Sequence, residues 1–133
     1  MKKLAVLLLP LLFVFMFMAA GCGKTPGGGN GNTNTGPVDQ IDLTVDDFAS
    51  KSITVKAGTP FKFVDPSDTG GIHIICTGDN AKCVDNPDAP KELLGQGFQI
   101  QPGESKTVTF DKPGTYHLAC TLQVNMNMTV VVQ

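Results

Sequence analysis

The feature that most constrains this chain is how soon its apolar patterns are interrupted. From Asp39 to the C-terminus, no apolar run outlasts one short strand before Gly, Pro or a polar cluster breaks it. Apolar residues recur at every second position in Ile41, Leu43 and Val45, in Ile53 and Val55, in Phe61 and Phe63, in Val108 and Phe110, and in Met128, Val130 and Val132. Such alternation turns every second side chain to one face, so each run is read as a half-buried strand. Ile72 to Cys76 is nearly continuous and reads as a strand covered on both faces. Thr115 to Cys120 supplies another. Ala57-Gly58-Thr59-Pro60, Gln101-Pro102-Gly103 and Lys112-Pro113-Gly114 supply turns between them. The one helix-like stretch is Pro87 to Leu94, where Asp88 is expected to cap a turn or two. Seven or eight strands at this spacing predict an all-β, antiparallel Greek-key sandwich with one short helix.

The first residues carry an address. Met1-Lys2-Lys3 is a basic start, Leu4 to Ala20 is apolar apart from Pro10, and Ala19-Ala20-Gly21-Cys22 follows. A run this short with a central Pro and a small-residue exit fits a secretory signal over residues 1–21 better than a membrane span. A Cys directly after the small residues resembles a bacterial lipoprotein signal, in which Cys22 becomes lipid-modified and begins the mature chain. The alternative is ordinary cleavage, with Cys22 left as a thiol. Residues 22–38 hold Gly, Asn and Thr with almost no large apolar side chain, and are expected to be a flexible linker. About 15 such residues span roughly 20 Å, which would keep a domain over 39–133 near a membrane surface while leaving it free to rotate.

Charge narrows the partners. The 133 residues contain ten Lys and no Arg against twelve acidic residues, a formal net charge of −2. Removing the signal with Lys2 and Lys3 takes this to −4. An acidic domain without guanidinium groups is not expected to bind nucleic acid, nor to sit on anionic lipid by charge alone. A monomer is expected. No Ser-His-acid or paired-carboxylate pattern suggests a hydrolase, and no enzymatic activity is expected.

Four cysteines stand at 22, 76, 83 and 120. If Cys22 carries lipid, three remain in an oxidising compartment and one must stay unpaired. Cys76 and Cys83 enclose a short polar segment with Gly78 and Asn80, a natural local disulfide loop, which leaves Cys120 as a buried thiol or a metal ligand. The rival pairing of Cys76 with Cys120 would remove the metal reading, and the spacing leaves both open.

Phe61-Lys62-Phe63, then Gly71-Ile72-His73, then Pro102-Gly103, and then Pro113-Gly114-Thr115-Tyr116-His117-Leu118-Ala119-Cys120 before a Val-rich final strand resemble the plastocyanin/azurin group of small blue-copper cupredoxins. The resemblance spans residues 41–133. It implies one copper ion cycling between Cu(I) and Cu(II), held by His73 at the first His position and by Cys120 at the end of its strand. A loop then follows that in the family carries a second His and a Met. Here that loop is Cys120-Thr121-Leu122-Gln123-Val124-Asn125-Met126, so Met126 fills the Met position while Gln123 stands where the second His belongs. Two imidazoles and a thiolate with a weak thioether suit both copper oxidation states, whereas an amide oxygen is a harder, weaker donor. His117 lies three residues before Cys120 and, by strand alternation, faces away from it. Met128 is expected in the core. The resemblance implies a membrane-tethered extracytoplasmic electron carrier that meets redox proteins; the alternative is a Cu(I)-holding or metal-free binding protein without redox turnover.

Overall fold

The computed structural model describes residues 37–133; the expected signal segment, Cys22 and the linker as far as residue 36 lie outside the described residues. Nine strands form: β1 (Gln40–Asp42), β2 (Ser52–Val55), β3 (Pro60–Val64), β4 (His73–Asp79), β5 (Lys82–Cys83), β6 (Phe98–Ile100), β7 (Ser105–Thr109), β8 (Gly114–Cys120) and β9 (Asn127–Val132). One sheet runs β1-β3-β7. The other runs β2-β9-β8-β4-β5, with β6 also paired to β4. The sandwich expected from the alternating runs is thus the fold. Most neighbours are antiparallel, but β1 pairs β3 and β2 pairs β9 in parallel. Pro37 and Val38, at the end of the stretch read as linker, already belong to the domain: Pro37 bridges Thr54, and the Val38 N–H donates to the Thr54 carbonyl at 2.8 Å.

Alternation does what the sequence promised in most runs. Phe61, Phe63, Val108, Phe110, Met128, Val130 and Val132 all turn inward, with Phe63 and Phe110 fully buried. Phe61 meets Phe63 edge-on at 5.1 Å between ring centroids, and Phe110 lies 5.1 Å from Tyr116, arrangements aromatic quadrupoles favour. The Tyr116 hydroxyl donates to the Lys112 carbonyl at 2.8 Å, fixing the Pro113-Gly114 turn that opens β8. The run read as doubly covered from Ile72 is so only in part: β4 begins at His73, Ile72 is half exposed and Ile74 partly buried, while Ile75, Cys76 and Thr77 are consecutively buried.

Two local expectations fail for identifiable reasons. The stretch Pro87 to Leu94 makes only a single 3-10 turn, Lys91–Leu93, with Pro90 at its cap and no side-chain cap bond. Asp88 instead pairs with Lys112, and the turn serves to bury Leu93 and to accept the Thr77 hydroxyl at its carbonyl. Val45 does not continue the strand begun by Ile41 and Leu43. The chain leaves β1 at Asp42, and Val45 is more than half exposed in the loop beyond.

Cys76 and Cys83 are bonded, with Cα atoms 5.6 Å apart. The bond closes a tight turn in which Asn80 and Ala81 both take positive φ, a strained conformation for side-chain-bearing residues that the cross-link and the Asn80 N–H bond to Asn127 Oδ1 help hold. It also leaves Cys120 as a free, buried thiol, so Cys76 is not available to pair with Cys120. Replacing Cys76 and Cys83 together by Ala is expected to cost about 2–3 kcal/mol of unfolding free energy in denaturant melts, as for a short closed loop. Phe63→Ala, which empties the centre of the aromatic cluster, is expected to cost about 3–5 kcal/mol by the same measurement.

Candidate metal centre

The pairing of β4 with β8 places Ile75 opposite Cys120, and the Thr121 N–H donates to the Ile74 carbonyl at 2.9 Å. His73 begins β4 and Cys120 ends β8, so antiparallel pairing brings both to one end of the sandwich. Inward alternation on β8 buries Tyr116, Leu118 and Cys120 and leaves His117 exposed, with Nδ1 3.5 Å from the Thr129 hydroxyl. His117 is therefore no part of this cluster.

The loop after Cys120 closes on itself. The Cys120 N–H donates to the Met126 carbonyl at 3.0 Å, and the Met126 N–H donates to the Gln123 carbonyl at 3.1 Å. Met126 is fully buried in the core, and Met128 is buried two residues on. Gln123 is half-buried and turns its amide oxygen inward, 2.7 Å from the Cys120 sulfur and 3.3 Å from His73 Nδ1.

The orientation of His73 is set from outside the cluster. Its Nε2 lies 2.9 Å from the Thr44 carbonyl oxygen, which can only accept, so Nε2 carries the proton and donates it. Thr44 is itself pinned: its hydroxyl donates to the Asp47 carbonyl at 3.1 Å and accepts the Asp47 N–H at 3.0 Å. Neutral His73 consequently presents the Nδ1 lone pair inward, 3.8 Å from Cys120 Sγ. That span is within reach of two bonds to one ion, given lengths of about 2.0–2.3 Å for zinc to His nitrogen and Cys sulfur. Three lone-pair-bearing atoms, Nδ1, Sγ and the Gln123 oxygen, thus face one another with only the thiol proton to share. A thiophilic cation satisfies all three, and tying the outer His nitrogen to a carbonyl is how ligating imidazoles are ordinarily aimed. Among the described residues no three His, Cys, Asp or Glu side chains converge. The strong donors are one imidazole and one thiolate.

The protonation of the pair agrees with this. Burial alone pulls the His73 pKa down, but the hydrogen bond and charge of Cys120, with smaller contributions from Gln123 and Asp65, leave it above its ordinary value. Burial pushes the Cys120 thiol up, but hydrogen bonds to its thiolate from Nδ1 of His73, in the protonated form of the ring, and from the backbone at Ile74, Leu122 and Gln123 more than offset that, leaving it below the usual thiol value. A lowered thiol is already part-way to the thiolate that binds metal.

A family model for the cupredoxin-like domain matches residues 8–132. The chain belongs to that family. Its fold is also that of a reduced amicyanin variant, at 19% identity over 71% of this chain and 80% of the other, with a TM-score of 0.52. A reduced Cu(I) form of another amicyanin variant matches at 19% identity over the same shares, with a TM-score of 0.53. The copper-containing nitrite reductase of Thermus scotoductus SA-01 matches at 24% identity over 73% of this chain but 22% of the other, with a TM-score of 0.53. At these identities the likeness speaks for the fold. No curated protein sequence matches the chain.

Of the residues singled out from the sequence, this cupredoxin domain brings His73, Cys120 and Gln123 side chain to side chain, and ties Met126 to Cys120 through the backbone. Sequence reasoning missed Thr44 and Asp65. The Thr44 to Asp47 spacing is a local hydroxyl–backbone motif that could have marked the first. Asp65 precedes Pro66 and reads as an ordinary turn residue, so nothing local marked it.

Two outcomes are expected. Gln123→His should strengthen Cu(II) binding and deepen the visible colour in copper titrations; no gain over the parent would mean that Gln123 does not stand at the metal. Acidification should weaken copper binding. Because the His73 pKa is raised, proton competition for Nδ1 begins above the ordinary imidazole value, and each further unit of acidification costs at least about tenfold in affinity, more where the Cys120 thiol also holds its proton, read by competition with a chelator.

Proposed function

We propose that this chain is a membrane-tethered, extracytoplasmic copper protein that carries single electrons through a variant type 1 site of His73, Cys120 and Met126, with Gln123 as the remaining donor. The observation that carries the reading is the 3.8 Å approach of Nδ1 and Sγ, with the other His73 nitrogen already tied to Thr44. Copper would supply a one-electron Cu(II)/Cu(I) couple. The chain's own part is to hold thiolate and imidazole in a buried, rigid frame that changes little as the charge changes, so that exchange costs little rearrangement.

The surface at this end supports a docking role. Five large apolar side chains are exposed among the described residues, and four of them, Val45, Ile72, Leu122 and Val124, border the cluster. Ile72 precedes His73, and Leu122 and Val124 flank Gln123. A side chain on Gly71 would meet the Val45 carbonyl at 2.7 Å, which places the Val45 loop against the segment entering β4. A partner that covers this rim comes within a short path of the sulfur and need not enter the protein. Lipid on Cys22 and the Gly/Asn/Thr-rich segment that precedes Pro37 would keep the domain within reach of membrane-bound redox proteins.

The weak donor at Gln123 favours one other reading, a Cu(I)-holding protein without redox turnover, because Cu(I) accepts few ligands while Cu(II) needs more. Copper titration with visible and electron paramagnetic resonance spectra separates the two. An intense visible band with a narrow hyperfine pattern supports the electron carrier; a colourless protein that retains Cu(I) supports the holder; failure to bind either ion removes both. For the tether, Cys22→Ala is expected to move the protein from the membrane to the soluble fraction of cells.

A further inference from the structure

Asp65 follows the last residue of β3 and is 1% exposed, yet neither of its carboxylate oxygens has a well-formed hydrogen bond, and the Gly71 main chain is the one neutral polar group that favours its charge. Neither ion pair among the described residues, Lys51 with Asp47 or Lys112 with Asp88, includes it. Its main chain is pinned: the Asp65 N–H donates to the Glu104 carbonyl at 2.9 Å, and the Gly103 N–H donates to the Asp65 carbonyl at 2.7 Å. The turn between β6 and β7 therefore fixes the backbone from which the side chain projects. It points into the loop that delivers His73, where Gly70 leaves room for it; a Cβ on Gly70 would stand 1.6 Å from Oδ1.

The position is tied to the metal centre through one short path. The Leu43 N–H donates to the carbonyl of Val64, the neighbour of Asp65, and the next residue, Thr44, accepts the His73 Nε2 proton. Burial opposes the ionised form of Asp65 most; His73 from β4 and the Gly71 main chain favour it, and Glu104 from the β6–β7 turn opposes it. An isolated buried carboxylate is expensive and is found where something of opposite charge offsets it.

We propose that Asp65 is the buried counter-charge of the copper centre: its carboxylate, which has no ion-pair partner, is offset by the cation held at His73 and Cys120, and it favours a doubly charged ion there over a singly charged one. The inference rests on the copper reading above. A fixed negative charge in a poorly polarisable interior attracts a divalent ion twice as strongly as a monovalent one at the same place. Asp65 thus restores part of the preference for Cu(II) that the amide at Gln123 gives away.

The test compares the parent with Asp65→Asn, which keeps the shape and removes the charge, and with Asp68→Asn, which removes an exposed charge from the same loop. Asp65→Ser serves as a second neutral variant should the amide disturb the loop. Affinities for Cu(II) and Cu(I) are measured by competition with chromophoric chelators selective for each ion, alongside the midpoint potential. Asp65→Asn is expected to weaken Cu(II) relative to Cu(I) by about tenfold or more and to raise the potential, with Asp68→Asn close to the parent. In the metal-free protein, Asp65→Asn is expected to melt higher than the parent near neutral pH. That advantage should disappear on acidification, since the raised Asp65 pKa makes its cost appear only as pH rises and the carboxyl ionises. An unchanged ratio of Cu(II) to Cu(I) affinity in a parent that binds both ions overturns the counter-charge and leaves the copper reading standing. A parent that binds neither ion removes the copper reading, and this proposal with it.

Discussion

The register between β4 and β8 is the constraint on which the rest depends. With Ile75 opposite Cys120 and Thr121 bonded to Ile74, the first residue of one strand and the last of the other reach the same end of the sandwich. A slip of one residue would turn Cys120 to the outer face and His117 inward, because side chains alternate along β8. The aromatic cluster of Phe61, Phe63, Phe110 and Tyr116 and the inward set of β9 pin that register by burial. The chemistry at the end of the sheets is thus secured by apolar packing well away from it.

The loops refine what the strands deliver. Thr44, held by Asp47, selects which nitrogen of His73 is free, and the closed loop from Cys120 to Met126 sets where the Gln123 amide stands. Each loop is anchored in the core, by Met126 in one and by Leu43 and Phe48 on either side of the other. Each converts a rough juxtaposition into donor atoms that share a common point, the degree of placement a metal centre demands.

The strand pattern was legible because alternation between buried and exposed faces is written directly into residue type. The pairs Phe61 and Phe63, Val108 and Phe110, and Met128 and Val130 could hardly be read otherwise. The Pro87 to Leu94 stretch misled because an acidic residue before apolar ones has the look of a cap, whereas here Lys112, distant in sequence, claims Asp88. Val45 misled because alternation says nothing about where a strand leaves its sheet. At the candidate metal centre, the residue types of His73, Cys120 and Met126 were visible, and so was the oddity of Gln123. Thr44 acts through its carbonyl, which every residue has, and the isolation of Asp65 depends on what surrounds it in three dimensions. Backbone roles and missing partners leave no mark on a one-dimensional sequence.

The loop from Cys120 to Met126 spends most of its main-chain hydrogen bonds on itself and its neighbour Asn127, with outside ties from Thr121 to Ile74 and from the Lys51 ammonium to the Asn125 carbonyl. Such a segment behaves as a cassette. Its identity at position 123 can drift without unsettling either sheet, so the donor presented beside Cys120 and His73 can change one side chain at a time while the scaffold beneath stays as it is.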